Sequence, residues 1–236
     1  MTGRVMEKVG IIGAMREEIE LLQQALENPE TETYAGMTFH SGRLHGREVV
    51  CVKSGVGKVN AAVCTEALIS RYGADVVVFT GVAGALDPSL DIGDMVVSSS
   101  CMQHDMDATP LGFARGEIPF QETYDFPSDP DLVRLAKEAC MRVHAGRCLV
   151  GRVLSGDQFI ADRTTVKWLH ETLKGVCVEM EGAAVAQVCH MHGTPHVIIR
   201  SMSDRADGSA HVNFEVFKDK AAQKSMAIVR EMLRNL

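Results

Sequence analysis

The sequence predicts a single α/β domain in which helices flank a mixed, strongly twisted sheet. Three observations predict it. Short β-rich apolar runs alternate with longer stretches of helical periodicity along the whole chain of 236 residues. Apolar residues make up 46% of it, enough for a sizeable core, and no repeat, low-complexity tract or linker divides residues 1–236 into separate units. Finally, Gly81, Gly84, Ser155-Gly156, Glu181 and Asp204 all fall just beyond predicted strands, where open α/β sheets gather their ligands.

The elements follow in order. Val9–Met15 reads as a buried strand, and the next residues, REEIELLQQAL, place Ile19, Leu22 and Leu26 on one helical face. Met37–Ser54 reads as two antiparallel strands joined around His45-Gly46. Lys58–Tyr72 is a helix ending near Gly73, followed by the continuous apolar strand ADVVVFTG and then by the strand GDMVVSSSCM. Ala108–Pro130 is a Gly/Pro-rich loop long enough to suggest function. Asp129-Pro130 opens a helix that packs through Leu132, Leu135, Ala136 and Ala139. CLVGRVLSGD is a strand running into a loop. Glu179–His192 is a helix stopped by Gly193 and Pro195, HVIIRSMSD is the last strand, and Val216–Leu233 is the last helix.

Composition narrows the function. The net charge of −7 argues against a nucleic-acid partner, yet leaves room for an uncharged nucleoside. No apolar run reaches the roughly 18 residues that cross a bilayer, and Met1–Lys8 carry no secretory pattern, so the expectation is a soluble cytoplasmic protein without a membrane partner. Seven scattered cysteines, an odd number without a CxxC pair, read as reduced thiols rather than a zinc or redox site.

Several segments could carry chemistry. SGVGKVN (Ser54–Asn60) fails as a phosphate loop, because Val52 stands where the first glycine belongs and Val59 where the hydroxyl belongs. It reads instead as a tight strand-to-helix turn. His104, Asp105 and Asp107 form a polar strand end, and His190 and His192 point to different faces of a helix, so no metal site is expected. GAMREE sets carboxylates at a strand–helix junction. The macrodipole explains Glu17, while Glu18 is open to either a structural or a functional reading. VEMEGAAVA places two glutamates around Met180. A helix N-terminus there would hold Glu181 ionised and able to accept hydrogen bonds from sugar hydroxyls; capping alone needs one of the pair. RSMSD ends an apolar strand on Asp204, a candidate for a raised pKa and general-acid work, or simply for starting a turn.

Read together, GIIGAMREEI, KSGVGKVNAA, TGVAGAL, GDMVVS, HDMDAT, SGDQFI, VEMEGAAVAQVCH and RSMSD resemble, in this order, the methylthioadenosine/S-adenosylhomocysteine nucleosidases of the nucleoside phosphorylase superfamily. The resemblance implies a partly closed barrel-like sheet, a homodimer, no cofactor and a place in methionine salvage. It implies Glu18 as the base that activates water, Asp204 as the acid that protonates adenine, and Glu181 as the ribose ligand, assisted by Met180 and Arg200. Phe159 and Ile160 would hold adenine, beside Val82, Ala83 and Gly84. Met15, Val56, Phe214, Ala108, Leu111 and Pro119, the last from the other subunit, would line the 5′ pocket. Such an enzyme resembles an inverting glycosidase, with charge building on sugar and base at once.

The chain departs from the family at Val82, where Ser is frequent, around Met102-Gln103, and at Ala108 and Leu111, where larger side chains are frequent. The last two imply a roomier 5′ pocket and keep futalosine or aminodeoxyfutalosine hydrolysis as an alternative. Phosphorolysis is disfavoured, since Glu17 and Glu18 would repel phosphate. A non-catalytic nucleoside-binding protein on the same fold is the remaining rival.

Overall fold

In the computed structural model, residues 7–206 and 210–236 are described. Among the described residues, ten strands form one sheet. They are β1 (Lys8–Gly13), β2 (Glu27–Tyr34), β3 (Met37–Leu44), β4 (Arg47–Lys53), β5 (Val76–Ala85), β6 (Met95–Gln103), β7 (Asp125–Pro127), β8 (Cys148–Ser155), β9 (Gly175–Glu179) and β10 (His196–Asp204). The described residues also form six flanking helices, α1 (Glu20–Gln24), α2 (Lys58–Glu66), α3 (Pro130–Val143), α4 (Arg163–Leu173), α5 (Gly182–His192) and α6 (Ala210–Leu233).

The long strand β5 explains the sheet's shape. Its first half lies parallel to β1 and nearly its whole length parallel to β10, while its end also pairs antiparallel with β9 at Gly84 and Ala85. Because β10 pairs with β6, β6 with β8 and β8 with β9, these strands and β5 close into a barrel-like ring. Strands β1, β4, β3 and β2 extend it outward as a wing. This is the mixed, partly closed sheet that the resemblance implied.

Alternation along the central strands divides the core. Val76 and Val78 face a cluster with α1, α3 and α6, whereas Val77 and Phe79 face one with α2 and α5. Both faces are covered, which is why these strands read as unbroken apolar runs. The Ile19, Leu22 and Leu26 face is buried as predicted, and so are Leu132, Ala136 and Ala139, with Leu135 partly buried. The β3–β4 hairpin turns at His45 and Gly46, both in the left-handed region at φ 53° and 81°, as a type I′ turn requires.

Some boundaries move. The helix expected over residues 16–26 breaks into a 3-10 turn, Arg16–Glu18, and the five-residue α1, because Ile19 leaves helical geometry at φ −130°. Lys58–Tyr72 is α-helical to Glu66 and then widens into a π turn. The Ala108–Pro130 loop contains a 3-10 turn and β7, and Pro130 is already helical. The helix expected from Glu179 begins at Gly182, with Glu179 closing β9. The last helix begins at Ala210 rather than Val216.

Two elements had no sequence assignment. Strand β2 is exposed at every position, so it carries no apolar alternation to read. Helix α4 did leave a signal. Asp162 caps it by accepting from the Thr165 N–H at 2.8 Å, and Leu169 and Leu173 bury one face.

Candidate active site

The ends of β1, β5, β9 and β10 surround a cavity of about 310 Å³, the size range of small-molecule pockets. It is lined by Met15, Glu18, Val56, Val82, Ala83, Gly84, Phe159, Ile160, Met180, Glu181, Asp204 and Phe214, all singled out from sequence. Ala14, Gln158, Val178, Glu179 and Ser203 also line it and were not.

Glu18 ends the 3-10 turn after β1 and is 2% exposed. Its Oε2 accepts from the Ala14 and Met15 N–H groups at 2.7 and 2.8 Å, and its Oε1 accepts from the Val82 N–H at 3.0 Å. Burial pushes this carboxyl above its ordinary range, against the opposing pull of Arg200 and of those three N–H donors. A raised pKa suits a group that must take up a proton. Gly81 keeps the space open beside it. A Cβ there would lie 2.5 Å from both Glu18 Oε1 and Arg200 Nη1.

The N-terminus of α5 holds the first glutamate of VEME, Glu179, rather than the second, Glu181. The Glu179 oxygens accept from the Gly182 N–H at 3.0 and 2.8 Å and from the Glu181 N–H at 3.3 Å. Ser155 Oγ donates to it and itself accepts from the Ala183 N–H at 2.7 Å, and Arg200 Nη2 donates to it at 2.5 Å. Glu181 stands at the N-cap but makes no capping bond; its Oε1 accepts from the Gly57 N–H at 2.8 Å. Burial, then the neighbouring Glu179, pushes the Glu181 carboxyl up to about 8. The expectation of a carboxylate held by the helix N-terminus therefore moves to Glu179.

Arg200 also differs from expectation. It lies behind the cavity, 1% exposed, with its guanidinium 3.8 Å from the centre of the Phe79 ring. It thus reaches the site through the carboxylates. Its Nε and Nη1 have no hydrogen-bond partner among the described residues.

Asp204 ends β10 at a bulge opposite Gly84, where the register shifts after Met202. Its Oδ2 accepts from Ser203 Oγ at 2.8 Å and its Oδ1 from the Ala206 N–H at 2.7 Å. A Cβ on Gly84 would come within 2.9 Å of Oδ1, so glycine is needed for the approach. The rest of the wall is apolar. Phe159 and Phe214 meet edge to face at 5.8 Å, and Ile160 is buried.

Ala108, Leu111 and Pro119 are not brought to this cavity. Ala108 is buried elsewhere, and Leu111 is 74% exposed. Of the polar residues considered as metal ligands, all but His104, which is buried with its Nε2 unpartnered among the described residues, have other partners. Asp105 pairs with Lys58, Asp107 with Arg115 and His192 with Glu66, while His190 packs near the Phe126 ring. Among the described residues no three His, Cys, Asp or Glu side chains gather as a metal site. The described helices include none long and apolar enough to cross a membrane. The cysteines are free thiols, and burial pushes Cys51, Cys64, Cys177 and Cys189 up.

Comparison with known proteins gives concordant matches. The profile of the Phosphorylase superfamily matches residues 8–234. A 5′-methylthioadenosine/S-adenosylhomocysteine nucleosidase of Chromohalobacter salexigens is 44% identical, over 98% of each chain. The crystal structure of a nucleosidase of that name from Neisseria meningitidis, in complex with methylthio-immucillin-A, superimposes with a TM-score of 0.94 at 38% identity, covering 98% of this chain and 100% of that one. A futalosine hydrolase of Helicobacter pylori superimposes with a TM-score of 0.93 at 36% identity, over 98% and 99% of the two chains.

Proposed function

This chain belongs to the phosphorylase superfamily and, within it, to the 5′-methylthioadenosine/S-adenosylhomocysteine nucleosidases, and we propose on that premise that it hydrolyses the N-glycosidic bond of both compounds, releasing adenine. The observation that carries the reading is one apolar cavity bordered by four buried carboxyl groups, Glu18, Glu179, Glu181 and Asp204, of which Glu179 is taken up by the helix N-terminus and Arg200.

Each group has a task that its surroundings support. Glu18, with its raised affinity for a proton, activates a water against the anomeric carbon. Asp204 protonates adenine as the bond breaks, and Ser203 and the Ala206 N–H fix its orientation. Glu181 receives the ribose hydroxyls, and Met180 packs beside them. Ile160 and Phe159 take the base, and Met15, Val56 and Phe214 take the 5′ substituent. Positive charge growing on the sugar and negative charge growing on the base are thus met in a largely apolar site.

The reading includes a homodimer at work in the cytoplasm, in the salvage of methylthioadenosine. Val56, Val59, Leu111 and Phe120 are all exposed apolar side chains, Phe120 at 94%, and a second copy seated there would bring Ala108, Leu111 and Pro119 toward a neighbouring cavity. The futalosine hydrolase likeness, with the small Ala108 and non-aromatic Leu111, supports a second reading in which the 5′ substituent is larger.

Adenine release measured side by side on methylthioadenosine, S-adenosylhomocysteine and futalosine decides among these. Wild type should cleave the first two faster, as a dimer in light scattering. Glu18→Gln and Asp204→Asn should each lower kcat by about 10³-fold or more while retaining nucleoside binding. Near-normal turnover in either variant would refute the role given to that residue.

A further inference from the structure

The SGVGKVN turn lends Val56 to the cavity wall, and through Gly57 it also touches the ribose carboxylate. Gly57 adopts φ +99°, and its N–H donates to Glu181 Oε1 at 2.8 Å. The next residue, Lys58, belongs to a closed cycle of hydrogen bonds drawn from three distant segments. Its backbone N–H donates to Asp157 Oδ1 at 2.8 Å, the Asp157 N–H donates to Asp105 Oδ2 at 3.0 Å, and Lys58 Nζ donates to Asp105 Oδ1 at 2.7 Å.

The cycle is anchored further. Lys58 Nζ also donates to Gln103 Oε1 at 2.9 Å, and Gln103 Nε2 donates to Gln187 on α5, the helix that Glu181 precedes. The ion pair is mostly buried, its side chains 18% and 16% exposed. Burial pushes the Asp105 carboxyl up, but the Lys58 ammonium and the Asp157 N–H outweigh it and hold the group below its ordinary value. An amide aimed at a carboxylate from a glycine-rich turn is floppy unless something fixes the turn. Here the next residue along the chain does so.

We propose that Lys58, Asp105 and Asp157 form a positioning clasp that aims the Gly57 N–H at Glu181 and thereby sets recognition of the ribose hydroxyls. The inference rests on the nucleosidase reading for its ligand, but not on turnover. The clasp touches neither sugar nor base, so it works through Glu181 and is not itself catalytic.

Its signature is selective. The test uses calorimetric Kd values for the non-hydrolysable 9-deaza C-nucleoside of methylthioadenosine and for its 2′,3′-dideoxy counterpart. Lys58→Met should lose about ten-fold more affinity for the first than for the second, the worth of one hydrogen bond to a charged group. Asp105→Asn should move the same contrast in the same direction, and Lys58→Arg should restore most of it. Equal losses on both ligands, or none, in variants with a wild-type melting profile would overturn the clasp. If Lys58→Met does not fold, the same contrast measured in Asp105→Asn decides. Wild-type adenine release, measured in parallel, keeps the two readings apart. A wild type that binds but never releases adenine overturns the hydrolase and leaves the Kd contrast decisive, whereas one that binds neither ligand overturns both.

Discussion

Glu179 and Glu181 are the same residue type, two positions apart, and almost equally buried at 8% and 6% exposure, yet they are held in opposite ways. Glu179 is surrounded by donors: three hydrogen bonds from the first N–H groups at α5, a hydroxyl and a guanidinium. Glu181 has one amide and faces the cavity, with its carboxyl raised to about 8. Burial alone therefore does not decide what a carboxylate does. The partner set decides. A saturated carboxylate is scaffold, and an undersupplied one is ready for a ligand that brings its own donors.

The largest effect expected from this contrast is on stability. Glu179→Gln removes the carboxylate directly ion-paired with the Arg200 guanidinium, 1% exposed, and should cost about 3–5 kcal/mol in urea unfolding. Glu181→Gln replaces a group already largely protonated at pH 7, and should change ligand-free stability by less than about 1 kcal/mol. Equal costs would erase the distinction between the two glutamates.

The next effect is the pH dependence of stability. Folding raises the Glu181 pKa from 4.5 to about 8, so its contribution is complete below pH 4.5 and lost as pH rises through 8. His196 works in the other direction. Burial lowers its imidazole from 6.5 to about 4, so its penalty appears only as pH falls below 6.5. Between pH 6.5 and 8 Glu181 is the one of the two still changing. Ligand-free stability should fall there by about 1 kcal/mol per pH unit, and Glu181→Gln should flatten the slope. A stability that rises through that window would place the proton elsewhere.

The smallest effect is a proton count. If ribose hydroxyls donate to Glu181, they favour its ionised form, and binding of a nucleoside analogue at pH 7 should release roughly half to one proton per site. Calorimetry in buffers of different ionisation enthalpy measures this. Glu181→Gln should abolish most of the release, and an unchanged count in that variant would separate it from Glu181.

Much of the frame was legible because its cause is local. The runs around Val9–Gly13, Val76–Thr80 and His196–Ile199 are apolar on both faces because helices cover both sides of the sheet. Gly193, at φ 63°, stops α5 as the sequence indicated. Strand β2 was not legible, since every one of its side chains is exposed and its place is set by pairing with β3. Helix α4 went unassigned although its Asp162 cap and the Leu169 and Leu173 spacing were there to read.

By itself the sequence determined the order of most strands and helices and the closeness of Glu18, Glu181 and Asp204 to strand ends, while the acid and base roles came from the resemblance to the nucleosidases. Periodicity, caps and short motifs act over a few residues, and those positions depend on nothing farther away. Only the tertiary structure decided which glutamate of VEME is scaffold. The partners of Glu179 are Ser155 and Arg200, 24 and 21 residues distant, and those of Glu181 begin with Gly57, 124 residues distant. A proton affinity is the sum of burial and of such contacts, and neither exists until the ring of strands has closed.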